Sequence, residues 1–189
     1  MNSSETLRDL LDIQIKMSPE EVKKLLLKGK LPDNVYVFVD GDLNLGGYQY
    51  ITSLITSLPD NLEVGGSLCL DGTNITSLPN NLKVGWDLIL NGTKITSLPD
   101  NLHVGGDLNL SESKITSLPN NLKVGRHLYL RGTPITSLPD NLQVGGHLDL
   151  YQTNITSLPD DISVGGNVYS SHKLKGKKPK GVKGRRLVR

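Results

Sequence analysis

The fold of this chain is decided by the stretch ITSLPNNLKVGWDLIL, which occupies residues 75–90. It is the constant part of a 20-residue unit that is present in six consecutive copies. The copies begin at Ile55, Ile75, Ile95, Ile115, Ile135 and Ile155. A unit this short is unable to bury its own apolar face, so it is stable only when neighbouring units stack on it. The repeat therefore predicts a solenoid.

The repeat divides the chain into three parts. A more degenerate unit precedes the six copies, with a Leu-Pro pair at Leu31 and a Leu-x-Leu string that starts at Leu43. We therefore expect a solenoid of about seven repeats over residues 31–172. An N-terminal helical cap is expected over residues 1–30 and a basic tail over residues 173–189.

The second half of each copy has the pattern of a β-strand. In Leu68-Cys69-Leu70, apolar residues alternate with a variable one, which is the period of a strand with one buried face. Equivalent leucine pairs recur in the next four copies, at 88 and 90, 108 and 110, 128 and 130, and 148 and 150. These leucines are expected to point into the core of the solenoid.

The first half of each copy predicts an extended return limb. Ile75 and Leu78 complete the core opposite the strand, and Pro79 excludes a helix, so the limb should be extended or polyproline-like. The hydroxyl of Thr73 can bond turn backbone that is left unpaired between strands. Gly65 and its equivalents suit a tight corner with unusual backbone dihedrals.

These residues resemble the leucine-rich repeat family. The matching string is Leu68-x-Leu70-x-x-Thr73-x-Ile75-Thr76-x-Leu78-Pro79, and it is most similar to the short 20-residue repeats of bacterial effectors of the YopM and IpaH type. It differs from them in having Thr or Ser where the family has Asn, and a Val-Gly pair before each strand. The amino-acid sequence of the repeat also resembles repeats of uncharacterised bacteriophage and large-virus proteins.

The resemblance covers about three quarters of the chain. It implies an α+β repeat fold, in which a leucine-rich repeat solenoid has a parallel β-sheet on its concave face. It also implies a helical cap at the N-terminal end. Functional residues would then lie on the outward-facing positions of the sheet.

The first 30 residues predict two short amphipathic helices. The first would start at Ser3 or Ser4 and carry Leu7, Leu10 and Leu11. For the second, Ser18 is the N-cap, Pro19 the first helical residue and Glu21 the capping-box partner, with Gly29 as the stop. These helices would cover the open edge of the first strand. The functional alternative is a secretion or partner-docking helix.

The last 17 residues carry nine positive charges and no negative one. They are Lys173, Lys175, Lys177, Lys178, Lys180, Lys183, Arg185, Arg186 and Arg189. Because the formal net charge of the whole chain is +2, the rest carries about −7. Such a tail is expected to be mobile and to bind polyanions, either nucleic acid or an acidic protein. The alternatives are a solubilising guard at the end of the solenoid, contact with an anionic membrane, and a nuclear address.

Composition agrees with one elongated domain. The chain has 189 residues, 36% of them hydrophobic, with one Phe and one Trp, so no large aromatic core is expected. The single Cys69 excludes an internal disulfide framework and favours a reducing compartment. No secretory signal and no stretch of transmembrane length is evident, so we expect a cytoplasmic protein, in the host cytoplasm or in the virion if the chain is viral.

The outward-facing strand positions supply the candidate binding residues. They form three columns, in which Asp concentrates in the earlier repeats and His, Tyr and Arg in the later ones. Tyr and Arg are common anchors of protein interfaces, so the later repeats are the expected contact patch. Trp86 is added because it stands at a corner position that is Gly in most copies. The predicted protein-binding residues are Trp86, His127, Tyr129, Arg131, His147, Asp149, Tyr151 and Tyr169.

Chemical roles for these side chains are disfavoured. Asp87, Asp107, His127 and His147 share one column and could offer metal ligands, but a ladder in which neighbouring side chains relieve one another's charge is the favoured interpretation. Cys69 lacks a neighbouring His to act as its base. We therefore expect no catalytic residue, no metal and no cofactor.

The sequence thus predicts a non-enzymatic protein-interaction scaffold. It would bind a protein partner through its sheet, as a bacteriophage or viral accessory or host-takeover factor. The rival hypothesis is a nucleic-acid-associated or virion structural protein that is anchored by its basic tail. A third hypothesis, an injected effector, depends only on the family analogy.

Overall fold

The computed structural model describes residues 14–28, 36–46, 54–175 and 184–187. These residues form a parallel β-solenoid in which successive repeats stack directly on one another. Each complete repeat contributes one strand to each of two eight-stranded parallel sheets. We call them the valine sheet and the leucine sheet, after the residue that the strands of the 20-residue copies bury, such as Val104 and Leu108.

The strands are numbered in chain order. The valine sheet contains β1 (Gln14–Met17), β2 (Tyr36–Val39), β4 (Leu62–Val64), β6 (Lys83–Val84), β8 (His103–Val104), β10 (Lys123–Val124), β12 (Gln143–Val144) and β14 (Ser163–Val164). The leucine sheet contains β3 (Leu43–Asn44), β5 (Leu68–Cys69), β7 (Leu88–Ile89), β9 (Leu108–Asn109), β11 (Leu128–Tyr129), β13 (Leu148–Leu150), β15 (Asn167–Ser170) and β16 (Gly184–Leu187).

Equivalent residues of successive repeats stand side by side. In the leucine sheet, Leu128 pairs with Leu108 on one side and with Leu148 on the other. The predicted core is confirmed, because Leu108, Leu110 and Ile115 have no exposed surface. The core is one continuous column of Leu, Ile and Val along the solenoid axis.

The valine sheet was not predicted. Its strands from β4 to β14 are only two or three residues long, as in Lys83–Val84. In the sequence, the Val-Gly pair was interpreted only as the residues that precede the leucine strand. Strands this short are held by pairing with the same residues of the neighbouring repeats, for example Val124 with Val104 and Val144. The return limb has neither helix nor regular strand in the described repeats, in agreement with the prediction.

The corner glycines are present for a reason other than the predicted one. A Cβ atom at Gly85, Gly105, Gly125, Gly145 or Gly165 would overlap the carbonyl oxygen of the corner glycine one repeat earlier. Their φ angles lie outside the left-handed region, which is occupied instead by Gly72, Gly92 and Gly132 in the turn after the leucine strand. Close backbone approach therefore explains the corner, and unusual dihedrals do not.

The predicted role of the turn hydroxyl is confirmed. Thr73 is buried, and its Oγ1 donates to the carbonyl of Leu70 at 2.7 Å. Thr93, Thr133 and Thr153 make the same bond at 2.7–2.9 Å. The same carbonyl also accepts the backbone N–H of the Thr, at 3.1 Å for Thr73, so the hydroxyl adds a second donor to turn backbone that is not otherwise unpaired.

Helix α1 (Pro19–Leu27) begins as the sequence predicts. The Ser18 side chain accepts from the Glu21 N–H, and the Glu21 carboxylate accepts from the Ser18 N–H. Val22 is fully buried in the core cluster. Strand β1 precedes α1, so the predicted purely helical cap is wrong at this point. The first predicted helix, around Leu7, Leu10 and Leu11, lies outside the described residues.

The start of the predicted tail belongs to the solenoid. Leu174 is 8% exposed and joins the core cluster, and the Lys175 N–H donates to the Thr156 carbonyl at 2.8 Å. Strand β16 then pairs in parallel with β15, with Arg186 beside Tyr169. The described part of the tail is therefore ordered, which contradicts the prediction that the whole tail is mobile. In the described part of the chain, no helix is long and apolar enough to cross a membrane.

Candidate functional site

The outer face of the leucine sheet carries the candidate site. Because side chains alternate along a strand, the residue between the two buried leucines and those flanking them project outward. Three columns of outward residues result, about 4.8 Å apart from one repeat to the next. The predicted columns are therefore confirmed as positions in the fold.

The first column is a ladder of hydrogen bonds between repeats. At each rung a side-chain acceptor takes the backbone N–H of the equivalent residue one repeat later. The pairs are Asp42 with Ser67 at 2.6 Å, Ser67 with Asp87 at 3.4 Å, Asp87 with Asp107 at 2.7 Å, Asp107 with His127 at 2.9 Å, His127 with His147 at 2.7 Å and His147 with Asn167 at 2.8 Å. The column is therefore a ladder, as expected, but its rungs are joined by side-chain to backbone hydrogen bonds and not by the expected charge relief between side chains.

The two histidines of the ladder form a stacked pair. The rings of His127 and His147 lie 4.8 Å apart with an interplanar angle of 5°. In each ring Nδ1 accepts a backbone N–H, so the proton of the neutral ring must sit on Nε2. Two Nε2–H donors are therefore presented side by side.

Tyrosines flank the histidine pair on both sides. Tyr129 lies 6.0 Å from His127 and Tyr169 lies 5.6 Å from His147, each at about 60° to the imidazole plane. Between the two tyrosines, Asp149 pairs in register with both. The structure thus brings five of the predicted binding residues into one cluster.

Arg131 and Tyr151 extend this cluster along the third column, which consists of the residues that follow the second buried leucine of each repeat. The Arg131 guanidinium lies 5.0 Å from the centre of the Tyr151 ring, and its Nε donates to the Gln152 side chain at 3.3 Å. A shallow pocket of about 330 Å³ is lined by Arg131, Asp149, Tyr151 and Tyr169. We call these four residues the tyrosine pocket.

Asp149 is held in place by its own turn. Its Oδ1 accepts the Tyr151 N–H at 2.8 Å, the same local bond that Asn109 makes with Ser111 at 3.0 Å. This bond fixes the carboxylate on the floor of the tyrosine pocket. The pocket therefore contains one anion and one cation at defined positions.

Burial and nearby charges together determine the pKa of Tyr129. Partial burial raises the pKa of the Tyr129 phenol, and the carboxylates of Asp107, Asp149 and Asp87 raise it further, whereas Arg126 lowers it. Arg126 lies 3.8 Å from Asp107, measured from Nε to Oδ1. Tyr129 therefore remains a neutral donor over the physiological range.

Cys69 has the properties of an unreactive thiol. Burial, followed by the hydrogen bond from Sγ to Asp71 at 2.7 Å, raises the pKa of the Cys69 thiol to about 11. A reactive cysteine needs the opposite shift, since the thiolate is the nucleophile. Among the described residues, no three His, Cys, Asp or Glu side chains gather as a metal-ligand group.

Trp86 lies apart from this cluster. It stands at the corner between β6 and β7 and is 61% exposed, as predicted. It directly precedes the rung Asp87, two repeats before His127, so it lies at the corner beside the acidic rungs and not beside the histidine pair. Trp86 and the tyrosine pocket are therefore two separate candidates.

The predicted polyanion-binding residues are placed only in part. Lys173 and Lys175 are exposed at the end of the solenoid. Arg185 and Arg186 lie in β16, beside Val168 and Tyr169 in register. The other five, Lys177, Lys178, Lys180, Lys183 and Arg189, lie outside the described residues.

The hydrogen-bonding role of the first column was only partly visible in the sequence. Its members are Asp, Ser, His and Asn, which share a side-chain acceptor close to the backbone. The presence of such an acceptor at every position of the column was the signal in the sequence, because the ladder requires an acceptor at each rung but not a particular residue. The stacking of two imidazoles and the pocket next to them had no counterpart in the pattern.

In comparisons with known proteins, no family model, no curated protein and no solved structure matches this chain.

Proposed function

We propose that this protein is a non-enzymatic binding scaffold that recognises a protein partner through the outer face of its leucine sheet. The observation that carries the proposal is the cluster formed by His127, Tyr129, His147 and Tyr169, with its adjoining tyrosine pocket. Aromatic and Arg side chains on a rigid sheet offer contact area at a modest cost in conformational entropy.

We further propose that the repeat is a variant of the leucine-rich repeat. The Leu-x-Leu strand and the Leu-Pro return limb support this assignment, and the buried Thr73 hydroxyl takes the place of the family's Asn. If the repeat is a variant of the leucine-rich repeat, the variant includes the valine sheet as a second parallel sheet. A viral or bacteriophage origin, and a place in the host cytoplasm, belong to the same proposal.

A non-enzymatic role is supported by the chemistry of the face. The thiol of Cys69 is held protonated, and the two histidines have their Nδ1 atoms engaged with backbone N–H groups. Neither arrangement supplies the activated nucleophile and base that covalent catalysis needs. Binding is thus the activity that these side chains can perform.

Selection from a random-peptide display library tests the proposal without knowledge of the partner. We expect the enriched peptides to bind the wild type. Their binding free energy for Tyr129→Ala/Arg131→Ala should be less favourable by about 2 kcal/mol. The matched control is His103→Ala/Lys123→Ala on the valine sheet, which should bind as the wild type does. Equal affinity of the peptides for the wild type and for Tyr129→Ala/Arg131→Ala would contradict the proposal that this face binds the partner.

The same experiment examines Trp86. If enriched peptides are lost only on Trp86→Ala, the working surface is the corner between β6 and β7. The rival function, anchoring to nucleic acid through the basic tail, is favoured by the nine positive charges of residues 173–189 and is tested by the deletion described in the Discussion.

A further inference from the structure

The tyrosine pocket has a polar composition that restricts its ligand. Arg131 and Asp149 bring one positive and one negative charge to the same small cavity. A ligand group of either charge would meet a like charge as well as an opposite one in this small cavity, so the attraction is offset in part by repulsion. A neutral ligand with several hydroxyls can donate to the carboxylate and accept from the guanidinium at the same time.

The surroundings of the pocket supply further donors. The Nε2–H groups of His127 and His147 have no hydrogen-bond partner within the described part of the chain, and they lie next to the tyrosine rings. Tyr169 offers apolar ring surface on which C–H groups can pack, whereas Arg131 lies over the ring of Tyr151. Donors, an acceptor and aromatic surface are therefore combined on one rigid face.

The spacing between successive repeats indicates the length of the repeating unit in a ligand that contacts several of these residues. Tyr129, Asp149 and Tyr169 stand on three successive rungs in register. Adjacent rungs are about 4.8 Å apart, which is close to the length of one pyranose ring. A short oligosaccharide that lies along the solenoid axis would place about one sugar on each rung.

We propose that the tyrosine pocket binds a neutral sugar residue of a glycan. The inference rests on the proposed function, because it uses the same face, and it names the chemical group that the partner presents there. Tyr169 provides the stacking surface, Asp149 accepts from sugar hydroxyls, and Arg131 donates to them. The histidine pair donates to the adjoining sugar.

Binding to an array of neutral oligosaccharides and glycopeptides, followed by NMR titration with the strongest ligand, tests the proposal. We expect saturable binding, with shifts confined to residues around Tyr169. Tyr169→Ala should weaken it about tenfold through loss of the stacking surface. The matched control is Ile89→Ala, an outward residue of the same column in β7, which should leave affinity unchanged. The glycopeptide spots distinguish a sugar carried by a protein from a free polysaccharide.

Two further arms make the outcome decisive. Asp149→Asn keeps the oxygen that accepts the Tyr151 N–H, so the fold is preserved while the carboxylate is lost, and affinity should fall several-fold. Binding of a neutral sugar should not change between low and high salt, whereas binding of tri-arginine or tri-glutamate peptides would weaken. The absence of any neutral glycan ligand, or preferential binding of either charged peptide in the pocket, would overturn the proposal.

The proposed function can survive such a failure. If library peptides bind through Tyr129 and Arg131 while no glycan binds, the sugar site is wrong and the interaction face stands. If glycans bind and no face-dependent peptide is found, the protein-partner proposal fails instead.

Discussion

At the residue scale, the side chains of the ladder do two jobs. Each one is an outward residue available to a ligand, and each one also holds the backbone N–H of the next repeat. A residue at this position is therefore constrained to carry an acceptor near the backbone, while its size and charge are free to vary. That freedom explains why Asp, Ser, His and Asn all occur there.

Replacement of His147 measures the ladder bond. His147→Leu removes the acceptor of the Asn167 N–H, and we expect the free energy of unfolding to fall by about 1–2 kcal/mol. His147→Asn is the control, because Asn occupies the same position at 167 and keeps an acceptor. Urea denaturation of both variants gives the comparison. Equal stability of the two would mean that the side-chain acceptor contributes little.

The thiol of Cys69 should react slowly with iodoacetamide. Since its pKa is raised from 9.0 to about 11, the thiolate fraction at pH 8 is about 100-fold smaller than for an unperturbed cysteine. The rate in the folded protein should keep rising with pH beyond pH 9, where that of the urea-unfolded protein levels off. Equal rates in the folded and unfolded protein at pH 8 would refute this assignment.

At the scale of the element, the glycine corner links the two sheets. In the 20-residue copies it joins the strand of the valine sheet to the following strand of the leucine sheet, and from Gly85 onward its backbone packs directly on the corner of the preceding repeat. The Gly125 N–H donates to the Val104 carbonyl at 3.0 Å, so the stacking is also hydrogen-bonded. The corner therefore sets the distance between repeats.

Gly125→Ala should disturb this stacking. The new Cβ would overlap the Gly105 carbonyl oxygen, and relief requires a backbone shift that we expect to destabilise the protein by roughly 1–3 kcal/mol. Lys123→Ala, an exposed change two residues earlier, is the control. Thermal melts in which both variants match the wild type would show that the corner tolerates a side chain.

At the scale of the whole molecule, the two ends of the solenoid are built differently. Near the N-terminal end, α1 follows β1 in the place where later repeats have a strand of the leucine sheet. Near the C-terminal end, the leucine sheet continues into β16, which is part of the basic segment. The last residues therefore combine an edge strand with a concentration of positive charge.

Deletion of residues 176–189 separates these two roles from the solenoid. The variant keeps Leu174 and Lys175, so it should fold, but it loses β16 and exposes the edge of β15, which lowers the melting temperature. It should also lose salt-sensitive retention on heparin.

A full-length variant with Gln at the seven Lys and Arg residues of this segment is the matched control for the deletion. It should lose heparin retention and keep more of the melting temperature than the deletion does. If both variants were retained on heparin as strongly as the wild type, the tail would not be the polyanion-binding segment.

The amino-acid sequence alone determined the solenoid and much of its interior. The repeat length, the buried Leu68 and Leu70, the bonding of Thr73 and the start of α1 at Ser18 were all predicted. Each of these features depends on residues close together in one repeat, where periodicity and local hydrogen bonding are decisive.

Only the tertiary structure decided what lies between repeats. The valine sheet, the overlap that demands glycine at the corner, and the β16 pairing with β15 depend on contacts between residues about 17 to 25 positions apart. The site depends on the same stacking, since His127 and His147 meet as parallel rings, and Arg131 meets Tyr151, only after the repeats are in register. The column positions could be predicted, whereas the pocket could not, because a repeat pattern specifies which face a side chain occupies but not which rotamer it adopts there.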